Sequence, residues 1–229
     1  DVVADVPVAP PTQKAIFGYG YTPSYSSITN LVSSSGVVAT DTTGVGTART
    51  DLAAAGYGTD KAIFGYGRAP SNVSLTNLVN NSGVVAADVT GVGTARWGLE
   101  ATSYGTDKAI FGYGDTSLSM TNLVSNSGVV ATDVTGVGTG RHALAAATYG
   151  STGQALFGYG YAGGPNFSVT NLVSNSGVVA TDTTGVGTAR RYLAAAGYGG
   201  DKAIFGYGWS SAITSLTNLV SNTGVVAAD

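Results

Sequence analysis

A seven-residue string, Lys-Ala-Ile-Phe-Gly-Tyr-Gly, recurs along this chain at a nearly constant spacing. It occupies residues 14–20, 61–67, 108–114 and 202–208, and the variant Gln-Ala-Leu-Phe-Gly-Tyr-Gly occupies 154–160. Successive copies start 47, 47, 46 and 48 residues apart. A period of this length is typical of repeat proteins, in which each repeat is one small unit that packs on its neighbours. We therefore expect a single domain of five similar units, with specific function carried by the residues that differ between copies.

Each copy contains four short runs of apolar and small residues separated by turn residues. In the copy that spans 47–93 the runs are 52–57, 61–67, 75–79 and 84–88. Gly, Asn and Asp punctuate them, and no segment has a sustained helical period. Four strands per repeat predict an all-β fold, a five-bladed β-propeller with four antiparallel strands per blade. The predicted blades span 1–46, 47–93, 94–138, 139–187 and 188–229.

The order of the runs resembles the kelch repeat. Arg49-x-x-Leu52-x-Ala54 is followed, 12 residues after the arginine, by the Lys61–Gly67 string, and similar text recurs in the other copies. The resemblance implies a propeller fold. The first strand of a propeller blade lies nearest the central axis, where space is tightest, and here that strand is the one rich in alanine. We expect Asp1–Asp5, which resembles fourth-strand text, to complete the last blade, and we expect a frayed or edge strand around the prolines that follow it.

Composition argues against several classes of function. Ten Lys and Arg against 13 Asp and Glu give a net charge of −3, and no basic patch predicts a nucleic-acid partner. There is no Cys, and no apolar run is long enough for membrane insertion. The sequence predicts no cofactor, no metal site and no catalytic activity. A hydrolase, the least favoured reading, would have to use His142 or Glu100, because the chain has one His and one Glu.

Three charged positions repeat with the blades, and we expect structural roles for them. The aspartates at 41, 88, 133, 182 and 229 suit Asx-type turns that accept nearby backbone N–H groups. A ring of calcium sites is the weaker alternative, because one carboxylate per repeat is few for Ca²⁺. The arginines at 49, 96, 141 and 190 suit structural forks that donate to carbonyls or to the Asp of the neighbouring blade. The lysines of the string should form exposed pairs with the preceding Asp.

The variable residues occupy two places in each blade. One is the loop after Gly-Tyr-Gly, and the other is the pair after the repeated arginine. Connections alternate between the two faces of an up-and-down blade, so we expect both places on one face. The candidate binding residues on this face are Tyr21, Tyr25, Arg68, Trp97, His142, Tyr161, Phe167, Arg191, Tyr192 and Trp209. Aromatic residues on the loops of a rigid scaffold are typical of recognition surfaces, although drift of exposed loops after duplication would also produce variation.

These observations favour a non-enzymatic structural and binding module. Near-identical, Cys-free, Gly-rich blades resemble proteins displayed on virions or cell surfaces, bacteriophage surfaces in particular, so we expect an extracellular or virion-surface location. The partner is predicted to be a protein or a surface glycan. The alternative is a carbohydrate-binding lectin with one site per blade, but a lectin should keep its site residues the same in every copy.

Overall fold

The computed structural model describes residues 15–115 and 117–229, and every regular element in them is a β-strand. The predicted all-β class is therefore confirmed. The Asp1–Asp5 segment and the prolines that follow it lie outside the described residues. The strands are β1 (Ala15–Tyr21), β2 (Tyr25–Val32), β3 (Ala53–Tyr57), β4 (Lys61–Gly65), β5 (Thr76–Val79), β6 (Glu100–Tyr104), β7 (Lys108–Gly112), β8 (Thr121–Val124), β9 (Ala145–Tyr149), β10 (Gln154–Tyr161), β11 (Asn166–Val173), β12 (Ala194–Tyr198), β13 (Lys202–Gly206) and β14 (Thr217–Val220).

Each repeat unit forms its own small antiparallel sheet, with the units numbered 1 to 5 over the ranges given above. Unit 1 pairs β1 with β2, and units 2 to 5 form three-stranded sheets with the recurring string in the middle strand. The predicted fourth run forms isolated bridges instead of a continuous strand, as where Val85 pairs with Val79 and Val89 with Thr76. A blade of four full strands is therefore not confirmed.

The hydrophobic core lies between successive units. The first strands of units 2 to 5 contact one another in chain order, β3 with β6, β6 with β9 and β9 with β12. The phenylalanine of each later unit packs on the Gly-Tyr pair of the unit before it, as Phe111 does on Gly65 and Tyr66. A Cβ on Gly65 would lie 2.5 Å from the Phe111 ring, so only glycine fits beneath this ring.

The tyrosine of each Gly-Tyr-Gly sequence has a left-handed backbone conformation. Tyr66 has a φ of 63°, and the equivalent tyrosines at 19, 113, 159 and 207 lie between 62° and 65°. In units 1 and 4 the strand register shifts at this tyrosine, which forms a β-bulge between the two glycines. In unit 2 the Tyr66 ring packs on Phe111 of the next unit, and the Tyr66 hydroxyl donates to the Val92 carbonyl over 3.0 Å.

A fully buried arginine ties each of units 2 to 5 together. Arg96 donates from Nε to the Tyr113 carbonyl (2.7 Å), from one terminal nitrogen to the Thr94 carbonyl (3.1 Å) and from the other to Asn122 Oδ1 (2.8 Å). Its guanidinium also stacks 4.3 Å from the centre of the Tyr66 ring in the preceding unit. The predicted fork to carbonyls is thus present, and the same arrangement recurs at the arginines at 49, 141 and 190.

The repeated aspartate, near the end of its unit, accepts hydrogen bonds from a threonine at the start of the same unit. Asp182 accepts hydrogen bonds from the backbone N–H of Thr139 and, over 2.6 Å, from its hydroxyl, while Asn171 Nδ2 donates over 2.8 Å. The prediction of a local Asx turn was wrong, because the backbone donor lies 43 residues earlier in the chain. Asp88, Asp133 and Asp229 make the equivalent contacts, whereas Asp41 in unit 1 pairs with Asn30. We call this contact the Asp latch.

The exposed lysine–aspartate pairs that the sequence predicts are also present. Lys61 lies 2.7 Å from Asp60, and the lysines at 108 and 202 lie 3.2 and 3.1 Å from the preceding aspartates. Each lysine side chain is 40% exposed or more, so solvent screens these pairs. These lysine–aspartate pairs therefore contribute little to the free energy of unfolding.

The predicted closure of the ring is not confirmed. In a ring of five equivalent units, Tyr207 of unit 5 would pack on Phe17 of unit 1. Instead, Phe17 is 63% exposed and Tyr207 is 64% exposed, whereas Phe111 and Tyr66, at the equivalent interior positions, are completely buried. The first and last units thus each present an uncovered face.

We predict that Arg96→Lys destabilises the protein strongly. Lysine keeps the positive charge but cannot make the three-way fork, so buried acceptors lose their donors. The free energy of unfolding should fall by about 3 kcal/mol, measured by urea denaturation. Arg68→Lys, at an exposed position, is the matched control and should change it by less than about 0.5 kcal/mol. Equal effects of the two substitutions would contradict the role assigned to Arg96.

The Asp latch predicts a loss of stability in acid. Burial tends to raise the pKa of Asp182, but hydrogen bonds from Thr139 and Asn171 outweigh it and hold the pKa below its ordinary value of 3.8. The folded state therefore binds protons less readily than the unfolded state, and the stabilisation is present above pH 3.8 and lost as the pH falls through the folded-state pKa.

Asp182→Asn should accordingly cost about 1 kcal/mol at neutral pH and progressively less in acid. Urea unfolding curves across this pH range measure both effects. Asp60→Asn, in an exposed pair, serves as the control. A cost for Asp182→Asn that stays constant down to strongly acid pH would contradict the latch.

Candidate functional site

The two variable positions of each unit lie side by side. Backbone bridges join Thr50 to Arg68, His142 to Tyr161 and Arg191 to Trp209. In unit 3 the backbone N–H of Asp115 donates to the Trp97 carbonyl over 2.8 Å. The residue after the repeated arginine thus contacts the residue after Gly-Tyr-Gly. These two residues are almost 20 positions apart in the sequence.

The variable side chains of units 3 to 5 form one continuous row. The Trp97 and His142 rings lie 4.8 Å apart between centres, and the His142 and Tyr161 rings lie 5.4 Å apart, edge to face. The Arg191 guanidinium then lies 4.1 Å from the Tyr161 ring and 4.3 Å from the Trp209 ring. We call these five residues the aromatic row. Tyr192 borders it, with its ring 5.5 Å from Arg191, and is 67% exposed.

A ladder of backbone hydrogen bonds positions the row. The N–H of Gly98 donates to the Asp51 carbonyl, that of Ala143 to the Gly98 carbonyl, and that of Tyr192 to the Ala143 carbonyl, over 2.9 to 3.0 Å. All four residues have positive φ, between 53° and 62°. This conformation recurs although the side chains differ, so the variable residues stand on a regular frame. Rings on such a frame lose little conformational entropy on binding.

His142 is buried within the row and is not at the surface, where the sequence led us to expect a variable loop residue. Its exposure is 4%. Burial lowers the pKa of His142 below its ordinary value, opposed by a hydrogen bond to the backbone of Asp115, so the imidazole is neutral at pH 7. Among the described residues, its Nδ1 has no hydrogen-bond partner. We therefore assign His142 to packing between two aromatic rings.

The other candidate residues do not join the row. Tyr21 and Tyr25 make their own edge-to-face pair in unit 1, with ring centres 5.4 Å apart and Tyr21 exposed. Arg68 is exposed, and Phe167 is partly buried in β11 opposite Gly160. Within the described ranges, no ring or cation contact joins these four side chains to the aromatic row.

Short polar residues, which are not among the binding residues predicted from the sequence, link the loops of neighbouring units. Asn72 Nδ2 donates to Asp115 Oδ2 over 3.3 Å, and Asn166 Nδ2 donates to the Ser210 carbonyl over 2.9 Å. These residues lie in the variable loops, so their position carried a signal, but their partners are 43 and 44 residues away. The contacts join consecutive loops into one surface.

Comparison with models of known protein families gives no match, and comparison with curated protein sequences gives none either.

Among the described residues, no group of three or more His, Asp or Glu side chains could hold a metal ion. The same part of the chain has no helix that is long and apolar enough to cross a membrane. The fold and the row together define an all-β tandem-repeat protein with one non-repeated aromatic surface.

Glu100 replaces alanine in the first strand of unit 3. Units 2 and 4 have Ala53 and Ala145 at the start of the equivalent strands. Burial raises the pKa of Glu100 to about 8 from an ordinary value of 4.5, against a hydrogen bond to the backbone of Ala101. No ionised side chain among the described residues contributes to this shift. The carboxyl group is thus protonated at neutral pH.

We predict that Glu100 makes the protein less stable as the pH rises. The unfolded state releases this proton near pH 4.5 and the folded state near pH 8, so stability is lost between those values. Glu100→Ala, which restores the residue of units 2 and 4, should remove this part of the pH dependence. Thermal unfolding midpoints at pH 5 and pH 9 would show it: the variant should gain stability over the wild type mainly at the higher pH. Parallel pH profiles for the two proteins would contradict a partly buried, neutral Glu100.

Proposed function

We propose that this chain is a non-enzymatic structural and binding module, whose units act as kelch-like blades and whose variable face binds a protein partner at a virion or cell surface. The packing of the first strands in chain order supports a blade-like arrangement. The observation that carries the proposal is the aromatic row, a set of non-repeated residues on a frame that is otherwise repeated. The five-bladed ring predicted from the sequence is not needed for this surface, which units 3 to 5 form by themselves.

The chemistry of the row supports protein recognition. Trp, Tyr and Arg are the residues that most often dominate the binding energy of protein interfaces. Here each unit contributes different residues, and contacts between their side chains join Trp97, Tyr161, Arg191 and Trp209 into one surface. The Arg191 cation lies against two rings of the row, and Tyr192 beside it is exposed to a partner.

The lectin alternative is supported by a different observation, a pair of equivalent cavities between units. One lies between units 2 and 3, lined by Thr76, Leu78, Val89 and the turn at 127–130. The other lies between units 3 and 4, lined by Thr121, Leu123, Val134 and the turn at 176–179. Each has a volume of about 220 Å³ and no aromatic residue in its lining. Both volumes fall below the roughly 300 Å³ of most ligand pockets, and the larger cleft of about 360 Å³ beside Tyr57 and Lys61 is more open to solvent, so we place the protein-binding function first.

Site-specific photo-crosslinking in the cells that make the protein tests the proposal. A photoreactive phenylalanine derivative replaces Tyr192 beside the row or, as a matched control, Val178 on an invariant turn; both side chains are 67% exposed. We predict a discrete protein adduct from position 192 and none from 178, because only the first lies on the variable face. The adduct should disappear when Trp97→Thr, which introduces the residue of unit 2, is added.

A glycan array with the whole chain distinguishes the two functions. Strong multivalent glycan binding that persists in Trp97→Thr and is lost in Thr121→Val, in the lining of the second cavity, would replace our proposal with the lectin. Identical adducts from positions 192 and 178, or none from either, would also contradict the protein-binding face. For the hydrolase reading, an activity abolished by joint replacement of His142 and Glu100 would be required.

A further inference from the structure

The contact between consecutive units is repeated four times with nearly the same geometry. The ring pairs Tyr19–Phe64, Tyr66–Phe111, Tyr113–Phe157 and Tyr159–Phe205 have centres 5.1 to 5.2 Å apart and ring planes 59° to 64° apart. In each pair the earlier unit supplies the tyrosine and the later unit supplies the phenylalanine. Every unit therefore has a leading face that presents a phenylalanine and a trailing face that presents a Gly-Tyr pair.

A second contact accompanies the rings. The glycine turn of a later unit lies against the leucine of the third strand in the unit before it. A Cβ on Gly128 would lie 3.0 Å from Leu78 Cδ2 and 2.9 Å from the Tyr57 hydroxyl. Gly224 lies in the same way against Leu172 and Tyr149. The leading face thus also presents a glycine turn, and the trailing face a leucine and a first-strand tyrosine.

Both faces are open at the two ends of the array. On the leading face of unit 1, Phe17 is 63% exposed, and a Cβ on Gly36 would meet nothing within 4 Å. On the trailing face of unit 5, Tyr207, Leu219 and Tyr198 are 64%, 50% and 41% exposed. Their interior equivalents are covered by the next unit. The open faces are therefore made of the two halves of a contact that occurs four times inside the molecule.

On the trailing face of unit 5, one backbone N–H differs from its interior equivalents. At each interior junction the glycine after the recurring tyrosine donates to the carbonyl of the next unit's arginine, as Gly114 does to Arg141 over 2.9 Å. The equivalent N–H of Gly208 has no acceptor in the described part of the chain.

We propose that the trailing face of unit 5 binds the leading face of unit 1 in a second copy of this chain. The interior junctions indicate which surface binds the trailing face. At each of them a leading face covers the Gly-Tyr pair of the unit before it. The contact joins two different surfaces, so it produces head-to-tail rings or filaments instead of symmetric dimers. This association is independent of the aromatic row and of the function proposed for it.

The contact between copies is weaker than the interior ones. Residues 1–14 contain no arginine, so the incoming unit supplies no guanidinium to stack on Tyr207. The described part of unit 1 also has two strands, against three in the later units, and covers less of the trailing face. We therefore expect reversible association that depends on protein concentration.

Sedimentation equilibrium of the whole chain over a wide concentration range tests the proposal. The average mass of the wild type should rise above the 22.7 kDa of one copy as concentration increases. Phe17→Asp and Tyr207→Asp should each weaken association at least tenfold, because each places a charge in the contact. Val178→Asp, at a side chain of unit 4 that is 67% exposed and lies away from both open ends of the array, should associate like the wild type.

Mixing the two end variants gives the sharpest result. The Phe17→Asp protein keeps its trailing face, and the Tyr207→Asp protein keeps its leading face. Together they should form a one-to-one pair that grows no further, although each remains monomeric alone. A symmetric dimer through two trailing faces would instead survive Phe17→Asp and would overturn the proposal.

Closure within one copy is the other outcome that would overturn it. The wild type would then be monomeric at every concentration, and both end variants would lower its thermal unfolding midpoint. Under our proposal both side chains are exposed in the monomer, so dilute samples of the two variants should unfold at the wild-type temperature. Failure of the crosslinking experiment on Tyr192 would leave these results unchanged, because that residue belongs to the variable face.

Discussion

A buried guanidinium in each of units 2 to 5 is the interaction on which the rest of the structure depends. Taking an arginine out of water is costly, and here three hydrogen bonds and a stacked ring offset the cost. Arg96 fixes the Tyr113 carbonyl and Asn122, and Asn122 in turn donates to Asp133, the latch of the same unit. The same cation covers Tyr66 of the unit before. One side chain thus connects the sheet, the latch and the junction between units.

The parts of this arrangement that are local in sequence could be predicted, and those that join distant residues could not. The first three runs of units 2 to 5 and the lysine–aspartate pairs follow from residue types and their spacing. The chemistry of arginine predicts a fork to carbonyls, but the sequence does not indicate which carbonyls accept. The Asp latch could not be predicted, because Asp182 has the local sequence of a turn and nothing in that sequence indicates Thr139 as its donor. The burial of His142 was missed for a related reason, since its neighbours Trp97 and Tyr161 come from separate places in the chain.

Periodicity also conceals which copies lie at the ends. Tyr66 and Tyr207 have the same local sequence and the same backbone conformation, yet one is completely buried and the other is 64% exposed. This tyrosine is buried only where the phenylalanine of a next unit packs on it. The sequence of a single repeat does not show whether such a unit is present. The aromatic row shows the opposite case, because its side chains break the repeat while the hydrogen-bonded frame beneath them keeps it.

The Asp latch has a consequence for how the chain is made. Thr47 and Asp88 lie 41 residues apart, and the arginine of the unit is synthesised before its asparagine and aspartate. On the ribosome a unit can therefore close only when its last strand has emerged, and the previous unit's tyrosine is then already in place to receive the cation. The latches of units 2 to 5 therefore become able to close one at a time, in the order in which the chain is synthesised.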